Sequence, residues 1–214
     1  FASGVMSGMT PPSRKWFKLT MENTDMAANS DVAEVLDERE EILYAVFAKS
    51  NFYNVVHQVY MELPFGQAPM SIMPDKKTGV RFTSYPIGTY ALECNANGEV
   101  NTFGRKYNMT CDQIVEEFGY ENCTDTIKSN ASIYTVCWLV CENKDRNGKL
   151  GNKNMPYSSI YWVEGSRDDE ILRHSGFEEW AIPIARHTTH DLNGYGKGSA
   201  WFAQSDAMML QKLE

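Results

Sequence analysis

His187 and His190 stand three residues apart with Asp191 directly after His190, and imidazoles beside a carboxylate could ligate a divalent metal if a further ligand converged. Such spacing places both rings on one face only in a helix, and Thr188, Thr189 and the nearby Asn193-Gly194 disfavour a helix there. The cluster therefore reads as a polar surface loop. Just beyond it, Gly194-Tyr195-Gly196-Lys197-Gly198-Ser199 leads into a helical stretch, and glycine-rich backbone ahead of a helix can cradle a phosphate. A P-loop, however, requires Ser or Thr after its lysine, and here Gly198 follows Lys197. A dinucleotide fingerprint requires a preceding parallel βαβ unit, which the pattern lacks. These glycines read instead as a flexible connector able to take positive φ.

The remaining reactive side chains point the same way. Cys137 and Cys141 lie four apart in an apolar run, where a strand would place them on one face as core residues, and Cys111 and Cys123 have no His or Cys partner at ligand spacing. His57 falls on an apolar helical stretch and reads as a packing residue, while His174 has no readable partner. Asp37, Glu38, Glu40 and Glu41 crowd one helix and read as its solvated face. Neither a G-x-S-x-G elbow nor an H-E-x-x-H pair occurs. No catalytic, cofactor-binding or metal-binding residue is assigned. An enzyme dependent on metal or phosphate, using His187, His190 and Asp191 beside the glycine stretch, stands as the alternative.

The elements that would carry these residues follow from periodicity. An apolar stretch at the start is helix-compatible and ends at the turn Thr10-Pro11-Pro12-Ser13. Ser30 or Asp31 can cap a helix in which Val32, Val35, Leu36, Ile42, Leu43, Val46 and Phe47 recur at helical spacing. Ser50-Asn51-Phe52 interrupts it, and a second helix runs from Tyr53 to Leu63, before Pro64. The pattern then shortens to strands at Met70–Met73, Val80–Ser84, Thr89–Glu93 and Val100–Tyr107, a meander with turns between. Thr110-Cys111-Asp112-Gln113 has the form of a capping box, ahead of a short helix that Gly119 ends. Strands are expected at Ser132–Glu142, linked through Asn147-Gly148 to Tyr157–Glu164, then at Leu172–His174 and Trp180–Ala185, before a terminal helix. The fold class is α+β, with helices and a meander of short antiparallel strands.

Composition narrows the function classes. The 214 residues are 43% hydrophobic and 12% aromatic, enough for a substantial core. A net charge of −8 excludes a generally basic surface of the kind that grips nucleic acid. The longest nearly apolar run, Ile133 to Cys141, is far short of the roughly 20 residues of a membrane-spanning helix. Five cysteines, an odd number, fit a reducing compartment better than a disulfide framework. The sequons at Asn108, Asn122 and Asn130 come without a secretory signal and read as chance matches in an Asn-rich stretch. The chain opens on Phe1 and stops within an apolar helical series at Ala207, Met208, Leu210 and Leu213, so it reads as a piece of a longer protein.

A colinear series of short motifs adds a resemblance. Thr10-Pro11-Pro12-Ser13-Arg14-Lys15-Trp16-Phe17-Lys18-Leu19, Ser50-Asn51-Phe52-Tyr53 and Leu63-Pro64-Phe65-Gly66-Gln67-Ala68 come first. Val80-Arg81-Phe82, Pro86-Ile87-Gly88, Asn97-Gly98-Glu99-Val100-Asn101-Thr102 before Arg105, and Met109-Thr110 to Phe118-Gly119 continue it. Ser159-Ile160-Tyr161-Trp162, Ser175-Gly176-Phe177-Glu178-Glu179, Pro183, Arg186 and Tyr195-Gly196-Lys197-Gly198 close it. Together these resemble the portal, or head-to-tail connecting, protein of short-tailed bacteriophages over nearly the whole chain. Two positions depart from that pattern: His187 follows Arg186 where the family often has Trp, and Ser199 follows the glycines where it often has Pro.

The resemblance implies a wing-like α+β region over residues 1–198 and the start of a stem helix over 199–214. It implies a homo-oligomeric ring of twelve subunits at one capsid vertex of the virion, assembled in the host cytoplasm. Double-stranded DNA would pass through its channel transiently and non-specifically, driven by a terminase motor, with capsid and tail adaptor proteins as further partners and no membrane. The ring reading makes the aromatic residues Trp16, Phe17, Trp162 and Trp201 candidates for subunit contacts, with core packing as their other role. Another virion adaptor protein is the remaining alternative.

Overall fold

The computed structural model describes residues 1–23, 29–129, 132–147, 151–167, 170–189 and 195–213. Its helical part comes first, as α1 (Ala2–Met9), α2 (Ser30–Lys49) and α3 (Phe52–Glu62), with a 3₁₀ turn at Leu63–Phe65. The cap of α2 is Asn29, whose side chain accepts from the Asp31 amide, one position before the expected Ser30 or Asp31. Ser50 ends α2 by returning its amide to the Val46 carbonyl. α3 is strongly one-sided, burying Phe52, Val55, Val56, Val59 and Tyr60.

The acidic face of α2 is only partly solvated. Asp37, Glu38 and Glu41 face water, but Glu40 is 4% exposed. Its carboxylate accepts from the Leu19 amide at 3.3 Å and pairs with the Lys15 ammonium at 3.1 Å. One turn on, the Tyr44 hydroxyl accepts from the Trp16 and Phe17 amides and donates to the Phe17 carbonyl. Residues 16–19 belong to no helix or strand, so their backbone groups need acceptors that regular structure does not supply, and α2 offers them from side chains. This contact explains why a carboxylate is buried where periodicity predicts an exposed one.

The strands do not form one meander. β1 (Gln67–Asp75) pairs with β2 (Gly79–Ser84) on one side and with β8 (Ile184–Arg186) on the other. β3 (Tyr90–Cys94), β4 (Val100–Thr110), β5 (Ile133–Glu142), β6 (Tyr157–Val163) and β7 (Ile171–Phe177) form a separate five-stranded antiparallel sheet in sequence order. β8 is shorter than the Trp180–Ala185 expectation. The Ala181 and Pro183 carbonyls still accept from Ile72 and Met70, so an irregular ribbon continues along β1. Asn51 closes the outer edge of β2: its amide donates to the Phe82 carbonyl at 2.8 Å and accepts from the Phe82 amide at 3.0 Å.

One face of the five-stranded sheet makes the core. Val136, Trp138 and Val140 alternate inward along β5 beside Phe103 of β4, Tyr161 of β6 and Leu172 of β7. α4 (Cys111–Phe118) and α5 (Asp125–Ser129) cover part of it, with Ile114 fully buried. The expected capping box is present, Thr110 accepting from the Gln113 amide while the Gln113 side chain accepts from the Thr110 amide. Cys137 and Cys141 share the opposite face, and burial raises the pKa of both thiols. α6 (Ser199–Leu213) ends the described chain.

Candidate assembly surface

α6 begins at a crossing of two backbones. Gly66 follows the 3₁₀ turn with φ of 130°, and its carbonyl accepts from the His187 amide at 2.9 Å. Gly196 and Gly198 pass directly over Pro64 and Gly66: a Cβ on Gly196 would collide with the Gly66 carbonyl, and one on Gly198 with the Pro64 carbonyl. Gly196 donates its amide to the buried Gln67 side chain at 3.0 Å, and Lys197 donates to the Thr188 carbonyl at 2.8 Å. The Tyr195 hydroxyl accepts from the Leu92 amide on β3 across 103 residues of sequence. The stretch is a fastened strap and not the flexible connector its composition suggests. Neither Gly196 nor Gly198 takes positive φ; both are needed for close approach.

What the strap holds out is apolar. Trp201 and Phe202 are 61% and 63% exposed, and Met208, Met209 and Leu210 are also open to solvent. These residues span a little over half of the α6 circumference, and an apolar helix face of that width is normally buried against something. The Lys197 ammonium lies 5.8 Å from the Trp201 ring centroid.

The other aromatic candidates have more company. Trp16 stacks on Phe47 and Phe52, and Phe17 on Tyr44, so both are partly buried in a cluster within the chain. Trp162 is partly buried on the sheet face opposite the core, in register with Cys137. His187 is exposed, with Nδ1 3.0 Å from the Thr188 hydroxyl, while His190, Asp191 and Gly194 lie outside the described residues, as do Asn130 and Gly148. Among the described residues no three His, Cys, Asp or Glu side chains gather in a metal-holding group. His174 finds a partner that its sequence does not suggest: Nε2 lies 3.0 Å from the Ser158 hydroxyl, and burial lowers its pKa. His57, on α3, lies 3.3 Å from the Ser3 hydroxyl of α1. The buried Glu40 contact and the Tyr195 strap contact escape sequence reasoning, since both partners are remote in the chain.

The model of one protein family, the bacteriophage head to tail connecting protein, matches residues 1–214. The chain belongs to this family. The portal protein of Salmonella phage epsilon15 is 37% identical over 193 residues, covering 86% of this chain and 35% of the relative. The probable portal protein of Bordetella phage BPP-1 is 32% identical over 218 residues, covering 98% of this chain and 39% of the relative. This head-to-tail connecting chain thus spans between a third and two fifths of the relatives' length. In its α+β fold the motifs that carry the resemblance lie on both sheets and on the strap, and Tyr195-Gly196-Lys197-Gly198 coincides with the glycine crossing.

Proposed function

We propose that this chain is part of a structural portal subunit, in which residues 1–198 form a wing-like region and residues 199–214 begin a stem helix. Twelve copies of the full-length protein would form a ring at one capsid vertex of the virion, assembled in the host cytoplasm. Double-stranded DNA would be driven through that ring by a terminase motor and later ejected, with capsid and tail adaptor proteins joined to its ends. The role is mechanical and needs no catalytic residue. The observation that carries this reading is a family match that spans every residue, and the exposed apolar side chains of α6 support it.

A ring with one rotation axis joins one face of each subunit to a different face of the next, so every copy needs two unlike surfaces. Trp201 on α6 and Trp162 on the outer sheet face offer two such places, with Trp16 and Phe17 as further candidates from the aromatic cluster. A charge of −8 suits a conduit, because polyanionic DNA is repelled on average and ionic contacts that would retain it are scarce. The metal- or phosphate-dependent enzyme reading has no specific observation in its favour. Mass photometry and negative-stain microscopy of the full-length protein test the proposal. Closed rings are expected, and a monomer that persists across all salt conditions overturns it.

A further inference from the structure

β5 is apolar on both of its faces. Val136, Trp138 and Val140 turn to the core, while Cys137, Leu139 and Cys141 alternate to the outer side, where an antiparallel sheet facing water normally carries polar residues. On that outer side a notch of about 360 Å³ is lined by Ala91, Gly104, Lys106, Cys137, Leu139 and Trp162. Gly104 makes the hollow. It lies in register between Ala91 of β3 and Leu139 of β5, and a Cβ on it would meet nothing nearer than Leu139 Cδ1 at 4.0 Å. Its φ is not positive, so the backbone does not demand glycine there. A strand glycine without that demand marks a place kept open for close approach from outside.

The same chain carries a helix face suited to such a hollow. Phe202, Asp206 and Met209 follow one another at intervals of four and three residues and so line up along α6. Phe202 is 63% exposed and Met209 is also open to solvent, so within one chain this face does not fill the notch. Local charge matches the two. Asp206 is the only charged residue of α6 before Lys212, whereas the notch has Lys106 on its wall and no Asp or Glu among its lining residues. Lys106 pairs with Glu164, but its ammonium is well exposed and has three N–H donors, enough for a second carboxylate. An apolar hollow beside a cation fits a large apolar side chain with a carboxylate one helical turn away, and a nucleic acid backbone supplies no such pair.

We propose that the Phe202–Asp206–Met209 face of α6 docks on the outer sheet face of a second copy of this chain, with Phe202 in the Gly104 notch and Asp206 toward Lys106. The two surfaces are unlike, as a ring with one rotation axis requires. The proposal rests on the ring reading above.

The test uses the full-length protein. Phe202→p-benzoylphenylalanine, irradiated after assembly, is expected to cross-link to peptides bearing Ala91, Leu139 or Trp162 of a neighbouring copy. Mixing isotopically heavy and light subunits tells that link from one within a chain by peptide mass spectrometry. Gly104→Leu fills the hollow with a side chain the strand accepts, and is expected to raise the concentration for half-assembly at least tenfold with the melting temperature of the monomer unchanged or higher. Cross-links confined to one chain, cross-links to another surface of the neighbour, or rings of Gly104→Leu that assemble within twofold of wild type overturn this docking while leaving the ring intact. Wild-type protein that never assembles overturns the ring reading and this proposal with it.

Discussion

Glu40 shows how one side chain can join two segments. Hydrogen bonding with the Lys15 ammonium, aided by the Leu19 amide, lowers the pKa of its carboxyl below the usual carboxylate range. A group with a depressed folded pKa stabilises the fold above its unfolded pKa and loses that contribution as pH falls through the folded value. Glu40→Gln is therefore expected to lower the melting temperature at pH 7, and the gap from wild type should begin to narrow near about pH 4, where the unfolded carboxyl protonates, and close only below the depressed folded pKa. Thermal melts across that range check it, and a gap independent of pH would show that the charge has no part in holding residues 15–19. The contact is not legible in sequence: an acidic residue on a helix reads as solvated, and the Lys15 and Leu19 that enclose Glu40 come from a stretch with no regular structure.

At the scale of elements, what is local is legible. The capping box at Thr110 and Gln113 lies within four residues and was readable as such, as were α4 behind it and the strands that hairpin to their neighbours, whereas α5 was not. Thr110→Ala should cost about 1 kcal/mol in chemical denaturation, the usual loss for a helix cap, with little change in the slope. The division into two sheets is not local. β8 reaches β1 from the far end of the chain, and nothing in either strand's pattern names its partner. The glycines of the strap were legible as a requirement but not in their reason. Turn formation and close backbone approach leave the same mark in sequence, and only the crossing over Pro64 and Gly66 tells them apart. Gly198→Ala should displace α6 or weaken its attachment, and faster amide exchange at Tyr195–Lys197 with unchanged exchange in β5 is the expected signature. Equal exchange throughout would mean that the crossing adapts without loosening.

Across the whole molecule, charge is the property that sequence conveys most directly, since it needs no partner to be counted. With 28 acidic and 20 basic residues, the chain should not retain duplex DNA: in fluorescence anisotropy at 150 mM salt, binding is expected to be weaker than about 100 µM, at or beyond the weak limit of ordinary non-specific association. Submicromolar binding with a steep salt dependence would contradict passage by repulsion. The candidate surfaces were legible only in part. Trp201 was nameable as an aromatic residue, but its exposure depends on a strap that holds α6 away from the cores, and the aromatic company of Trp16 becomes visible only when α2 and α3 are folded beside it.

The side chain of Asn51 has a wider bearing than the single strand it touches. By presenting a donor and an acceptor to Phe82, it imitates the next strand of a sheet and occupies the place where another polypeptide could dock edge to edge. Molecules crowded side by side with identical orientation would otherwise have a route to stack without limit through that border. One amide blocks that route at Phe82.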